Sequence, residues 1–273
     1  MNTKFSVAIS VYKNDNAVFF NKALESITGL QTVKPTEIVL AVDGPVGEDL
    51  EKVIQQYQKT FKGFKTIRLK TNAGLGVALK AAAENCSYNL IARMDSDDIA
   101  VPTRFEEQLA FLQKHPEVEV IGGDIAEFVT EKSIVSERRV PIENAEIYQY
   151  LKKRCPMNHV TVMMKKSSLQ KAGGYLEWHY NEDYYLWARM ALQGVVFANT
   201  GTNLVKVRVG KEMYSRRGGI KYFKSEAKLQ KYLLQHKLIT PPRYFVNVAE
   251  RLVLQVLMPN RLRGFIFQKF ARK

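Results

Sequence analysis

Leu90-Ile91-Ala92-Arg93-Met94-Asp95-Ser96-Asp97-Asp98 is the stretch that decides how this chain of 273 residues is read. A mostly apolar run of strand length ends in three carboxylates packed into one short loop. Like charges that close raise one another's pKa unless a cation or hydrogen-bond donors offset them. A hard divalent ion, Mg²⁺ or Mn²⁺, held by one or two carboxylates together with substrate phosphates is the natural counter-charge. The plainer use of an acid here is a helix cap, with Asp98 ahead of Pro102-Thr103-Arg104. Capping needs one acid and leaves the other two unexplained.

Working outward, the first 125 residues alternate between two patterns. Apolar, β-branched runs at Phe5–Val11, Glu37–Val42, Thr66–Leu69, Leu90–Met94 and Val118–Ile121 read as strands. Helical patterns over Ala17–Ile27, Glu48–Phe61, Gly76–Asn85 and Thr103–Lys114 separate them. Continuous apolar strands alternating with helices predict a parallel sheet covered on both faces. Such sheets bind ligands just past the carboxyl ends of their strands. Ser133–Val209 is mixed, and two further helices are predicted at Lys221–His236 and Arg243–Met258, parted by Thr240-Pro241-Pro242.

The other strand ends are polar in the same way. Ser10-Val11-Tyr12 closes the first, Asp43-Gly44 the second, and Asn72-Ala73-Gly74-Leu75-Gly76 follows the third. Each alone reads as a turn; together, at successive ends of one sheet, they form a candidate nucleotide cradle. No GxGxxG or GxxxxGK[ST] spacing is present, which argues against dinucleotide binding and P-loop chemistry. A second acidic pair, Glu182-Asp183, opens a predicted helix, where the helix dipole alone would favour acids. Beside a metal–nucleotide site it becomes a candidate general base.

Composition is that of an ordinary globular chain, 46% apolar and 25% charged. No window approaches the roughly 18 apolar residues of a spanning helix, and Met1–Lys13 reads as a first strand and not a signal peptide. Cys86 and Cys155 are far apart and form neither a zinc motif nor a disulfide framework, which suits a cytoplasmic setting. The net charge of +14 is unevenly placed. Residues 206–273 carry 17 Lys and Arg against three acids, whereas residues 1–205 balance to zero. A neutral body with a basic end implies an anionic partner surface. Nucleic acid is not the expected partner: there is no zinc-finger spacing, aromatic RNA-binding strand or helix-turn-helix, and acidic strand ends repel a phosphate backbone.

Taken in order, Ser10-Val11-Tyr12, Asp43, Asn72-Ala73-Gly74, the DxD motif Asp95-Ser96-Asp97 with Asp98, Pro102-x-Arg104 and Glu182-Asp183 closely resemble family 2 glycosyltransferases of the GT-A fold. Asn158-His159-Val160-Thr161 and Gly173-Gly174-Tyr175 belong to the same likeness, which spans about Lys4 to Gly219. Members most similar to it build bacterial capsule, exopolysaccharide or lipopolysaccharide. The resemblance implies an α/β GT-A fold, a mixed and mainly parallel sheet flanked by helices. It also implies an inverting transfer from a nucleotide-sugar donor, UDP-linked on family grounds, to a saccharide or polyprenyl-diphosphate-linked acceptor. Its implied donor-binding set is Ser10, Tyr12, Asp43, Asn72, Gly74, Arg93, Asp95 and Arg208, with Asp43 reading the base and Asp95 contacting ribose or donor sugar. Asp97 with Asp95 would hold Mn²⁺ or Mg²⁺, Asp183 would be the base with Glu182 beside it, and His159, Asp98, Arg104 and Arg216 are further candidates. A sugar nucleotidyltransferase would share the sheet and metal, but such enzymes usually place a Gly-rich, Arg-containing loop where this chain has Tyr12-Lys13-Asn14-Asp15-Asn16.

One departure concerns Val207-Arg208-Val209-Gly210, where Gly210 stands in place of a histidine that many members use on metal or diphosphate. Ser215-Arg216-Arg217-Gly218-Gly219 is an alternative source of positive charge. The organisation expected is a catalytic domain over 1–219, with a nucleotide-sugar half at 1–125 and an acceptor half at 126–219. A basic amphipathic extension, 220–273, follows. Within it Leu262, Phe265, Ile266 and Phe270 fall at helical spacing among Arg261, Arg263, Lys269, Arg272 and Lys273. That pattern suits an anionic membrane interface and predicts peripheral association with the inner face of the cell membrane.

Overall fold

The computed structural model describes residues 3–131, 133–210 and 218–258. Its first part follows the periodicity of the sequence: β1 (Phe5–Tyr12), α1 (Ala17–Ile27), β2 (Glu37–Asp43), α2 (Glu48–Thr60), β3 (Phe64–Arg68), α3 (Leu75–Glu84) and β4 (Leu90–Met94). Alternation along the strands feeds two cores. Val7, Ile9 and Val11 of β1 with Ile38, Leu40 and Val42 of β2 face one, and Ala8, Val39 and Ala41 face the other. Helix α1 starts where it does because Asn16 Oδ1 accepts the amides of Val18 at 2.9 Å and Phe19 at 3.2 Å.

β1 to β4 are parallel, in the order β3-β2-β1-β4. One buried carboxylate ties them at their amino ends. Glu37 accepts from Ser6 Oγ at 2.5 Å and from the Ser87 amide at 2.7 Å, and pairs with Lys65 Nζ at 2.5 Å. It thereby links β1, β2, β3 and the turn into β4.

The chain continues through β5 (Ile99–Ala100), α4 (Arg104–Lys114), β6 (Val120–Thr130), β7 (Ser133–Arg138), α5 (Asn144–Leu151), a 3-10 turn at His159–Thr161, β8 (Met163–Lys165), α6 (Lys166–Lys171), α7 (Glu182–Leu192) and β9 (Phe197–Arg208). The sheet becomes mixed at β4, where β8 inserts antiparallel between β4 and β6. The strand expected at Val118–Ile121 is the start of the longer β6, and it does not neighbour β4. β9 runs parallel to β6 and antiparallel to β5, which brings Arg208 back to the end of β4.

Helix α8 (Ile220–Gln235) leads into α9 (Pro241–Leu252) and a π turn (Val253–Leu257). Thr240-Pro241-Pro242 starts α9 in the usual way, since proline at the first helical positions has no amide to leave unpaired. Leu229 and Leu233 of α8, with Ile239, are buried in the same core as Leu186 and Trp187. The expected stripe at Leu262–Phe270 lies outside the described residues, as does Arg216.

Candidate active site

Beyond the carboxyl ends of β1, β2 and β4 lies a cavity of ≈ 540 Å³ lined by Ser10, Tyr12, Asp43, Asn72, Gly74, Asp95, Asp97 and Glu182 among others. That volume falls in the range of small-molecule sites. Most of the residues expected to bind a donor therefore meet in one place, although they come from strand ends and loops up to 85 positions apart (Ser10 to Asp95), and Glu182 joins them from the start of a later helix.

Asp43, only 4% exposed, organises the cradle. Its two carboxylate oxygens accept the amides of Ala73 at 2.7 Å and Gly74 at 3.0 Å. The loop that precedes α3 is thus pinned to the end of β2, with Gly74 at φ +93°. Gly44 has no room for a side chain: a Cβ there would sit 2.6 Å from the Asn72 nitrogen, and its φ is +81°.

The three carboxylates after β4 have three different surroundings. Asp95 is ion-paired with the buried Arg93, which leaves Arg93 inside the wall as the holder of Asp95. Asp98 is buried and accepts the Arg208 amide at 2.8 Å, so it joins the loop to β9 and caps no helix. Burial, then Asp95 and Asp97, push its pKa well up. Asp97 faces the open side of the cavity, where partial desolvation and the charges of Asp95 and Asp15 push it up to about 6.

Asp95 and Asp97 are the donor set a hard cation would find. Among the described residues no group of three or more His, Cys, Asp or Glu side chains is arranged to hold an ion unaided. Mg²⁺ commonly takes one or two carboxylates and completes its shell with water and substrate phosphates. With Asp95 shared with Arg93 and Asp97 turned to the open cavity, the two acids at the wall fit that use.

Across the cavity, Glu182 and Asp183 open α7. Glu182 lines the cavity, and desolvation with the neighbouring Asp183 pushes it up to about 7. Asp183 is not among the lining side chains; its Oδ2 accepts from Cys155 Sγ at 3.5 Å.

Three other expected residues lie behind the wall. Arg208 donates from Nε to the Asp97 carbonyl at 3.1 Å and stacks over Phe19 at 3.8 Å, so it braces the loop. Arg104 is fully buried and donates to the Arg93 carbonyl at 2.7 Å, which props β4 from below. His159 shares a 2.9 Å hydrogen bond with the Tyr175 hydroxyl and packs beside Trp187. Burial, then Arg93, hold its pKa well below the usual histidine value, so it is neutral there. Gly210, the position of the missing histidine, is exposed at the end of β9.

Sequence reasoning missed part of the lining. Asp15 receives Ser96 Oγ at 2.8 Å and the Tyr12 amide at 3.1 Å, and burial raises its pKa. Trp178, His179 and Tyr180 form an aromatic edge, with Tyr180 at φ +73°. The signals were present: an acid just past the end of β1, and three consecutive rings before Glu182-Asp183.

The sequence profile described as glycosyl transferase family 2 matches residues 6–173, more than half of the chain. An uncharacterized glycosyltransferase of Haemophilus influenzae is 44% identical, over 99% of this chain and 100% of its own length. The amylovoran biosynthesis glycosyltransferase AmsE of Erwinia amylovora is 37% identical, covering 97% and 98%. A UDP-Gal:alpha-D-GlcNAc-diphosphoundecaprenol beta-1,3-galactosyltransferase of Escherichia coli is 36% identical, covering 99% and 97%. Among solved structures, S. aureus TarS 1–349 in complex with UDP-GlcNAc superposes with a TM-score of 0.67 at 16% identity, over 92% of this chain and 73% of that one. The mannosyltransferase PcManGT from Pyrobaculum calidifontis, in complex with GDP-Man and Mn²⁺, gives 0.59 at 14% identity, over 95% and 71%. At such identities the likeness is one of fold, and the fold is GT-A.

Proposed function

The chain belongs to glycosyl transferase family 2, and from that premise we propose that it transfers a sugar from a UDP-linked donor to a lipid-linked saccharide in bacterial surface polysaccharide synthesis. The observation that carries this reading is the single cavity in which the Asp43-held loop, Asp95, Asp97 and Glu182 meet. The relatives supply the direction: one is named for a UDP-galactose donor and a diphosphoundecaprenol acceptor, another for amylovoran biosynthesis.

In the proposed reaction, Ser10, Tyr12, Asp43, Asn72 and Gly74 hold the nucleotide at the strand ends. Asp95, kept in place by Arg93, orients ribose or donor sugar. Mg²⁺ or Mn²⁺ held by Asp95 and Asp97 with the diphosphate would neutralise charge developing on the leaving group. An acceptor hydroxyl attacks the anomeric carbon, a carboxylate takes its proton, and the bond to the diphosphate breaks. One displacement inverts the configuration. By family position that carboxylate is Asp183. A second reading has its own observation: Glu182 lines the cavity and its pKa of about 7 suits a proton acceptor at neutral pH.

A lipid-linked acceptor places the work at the inner face of a membrane. No described helix is long and apolar enough to cross one, and the excess of Lys and Arg in the 220–273 extension supports it as the segment that holds the enzyme there peripherally. The test is release of nucleoside diphosphate from a panel of nucleotide sugars, with Mn²⁺ and then with chelator. Turnover of one donor that disappears with chelator and in Asp97→Asn supports the reading. Comparing Asp183→Asn with Glu182→Gln assigns the base, since only its loss abolishes turnover while donor binding persists. Absence of both binding and release across the panel, with and without lipid-linked acceptor, refutes the function.

A further inference from the structure

Helix α9 is amphipathic in the reverse of the usual sense. Asn247 and Arg251, with Gln255 one turn further on, recur at a spacing of four and form the buried face, at 0%, 8% and 7% exposure. The opposite face is apolar and open to solvent: Phe245 is 69% exposed, Leu257 67%, Val253 49%, Val246 46% and Leu252 38%. A surface helix ordinarily buries its apolar stripe and shows its polar one.

The polar face is committed to the protein, which fixes the helix's rotation. Arg251 pairs with Glu226 of α8 and donates to the Lys153 carbonyl at 3.0 Å. Asn247 donates to Gln230 Oε1 at 2.7 Å and to the Lys152 carbonyl at 2.8 Å. Turning α9 to hide Phe245 would strand Glu226 as a buried, unpaired charge, a strongly destabilising change. The outward apolar face is therefore held in place by the fold.

Charge decides what covers it. Among the described residues, the stretch 218–258 that carries this face holds Lys221, Lys224, Lys228, Lys231, Lys237, Arg243 and Arg251 against Glu226 and Glu250, and Glu226 is paired with Arg251. A second copy would set one positive field against another, whereas an anionic lipid surface attracts both the charge and the apolar side chains. We propose that Phe245, Val246, Leu252, Val253 and Leu257 are the membrane-docking surface of this chain, lying at the headgroup–acyl boundary of an anionic bilayer. This deepens, and rests on, the peripheral association proposed above, and assigns it to α9 and not only to the chain terminus. It also has a route to the cavity. Ser225 of α8 donates to the His179 carbonyl, and its own hydroxyl and carbonyl oxygens accept from Asn181 and Trp178, so the helix under α9 also buttresses the aromatic edge of the site.

The test is flotation of the full chain with vesicles of phosphatidylcholine alone or mixed with phosphatidylglycerol. Wild-type protein floats only with the anionic vesicles. Combined Phe245→Ser, Leu252→Ser and Leu257→Ser lowers the partition coefficient about ten- to a hundredfold with an unchanged thermal melt, and Glu250→Lys raises it. A second variant, Leu262→Ser with Phe265→Ser, Ile266→Ser and Phe270→Ser, retains measurable flotation. Equal flotation of wild type and the α9 variant overturns the assignment to α9 alone. Wild type that never floats overturns the association itself, and donor turnover, measured without lipid, reports separately on the enzyme. A wild-type dimer that the α9 variant converts to monomer, with vesicle binding unaltered, overturns the proposal in favour of a second copy.

Discussion

Asp43→Asn is nearly isosteric, yet it should cost more than most substitutions at the cavity. The native carboxylate gives one oxygen to the Ala73 amide at 2.7 Å and the other to the Gly74 amide at 3.0 Å. Asparagine offers one oxygen and one NH₂ group, so one amide loses a charged acceptor and the other faces a donor. A net hydrogen bond to a charged group is worth about 1.5–3 kcal/mol, and an amide left without an acceptor costs about 1–3 more. Ala73 is exposed, so water recovers part of this, and the expected loss is about 2–4 kcal/mol. Ala78, Leu79 and Ala82 bury α3 in the core, so loosening its first turn should register in global stability. At about 2–4 °C per kcal/mol for a chain of this size, the melting temperature should fall about 4–16 °C. Nucleotide affinity should fall at least about tenfold, because the loop must be reordered on binding. Urea unfolding and calorimetry with UDP measure the two effects. A variant that loses affinity with its unfolding midpoint unmoved refutes the account, because Asp43 would then act on nucleotide alone.

Arg93→Met should destabilise the chain by about 3 kcal/mol, the low end for a broken buried pair because Asp95 is partly exposed. Adding Asp95→Asn should restore part of that loss, and a double-mutant cycle showing no coupling would refute the pairing. Gly44→Ala forces a Cβ to 2.6 Å from the Asn72 nitrogen at a φ of +81°; a loss of at least about 1–2 kcal/mol in urea unfolding is expected, and an unchanged midpoint counts against the tight β2–loop contact. Glu182 titrates at about 7 when folded, so the native state holds its proton more tightly than the unfolded chain, and stability drains away as pH rises from about 4.5 through 7. Glu182→Gln removes that drain: its melting temperature should gain on wild type between about pH 5 and pH 8, and a gain toward acid would refute the shift.

Residues 5–94 were legible because β1, β2 and β4 are mostly apolar and buried and the helices between the strands carry a 3.6-residue rhythm, so local patterning and tertiary burial agree. The antiparallel insertion of β8 was not legible. Three residues, Met163–Lys165, carry no periodicity, and only the β4 and β6 edges on either side make them a strand. The same limit applies to the arginines. Arg93 and Arg208 were expected on the donor and Arg104 among the further candidates, but the fold places the first against Asp95 and the other two behind the wall.

By itself the sequence determined the class of sheet, the polar strand ends that meet at the cavity, and the family to which the chain belongs. A run of side chains states which groups are present and at what spacing, and for strand ends of a parallel sheet that is enough to bring them together. Only the tertiary structure gave the carboxylates of Asp95, Asp97 and Asp98 their separate surroundings: Asp98 meets Arg208 from far along the chain, Asp97 faces an open cavity, and Asp95 is held by a neighbour, Arg93, that packing has buried. It alone decided the direction of α9 as well. An amphipathic pattern specifies two faces and not which one turns inward, and here the Glu226–Arg251 pair turned the polar face in and left the apolar face outside.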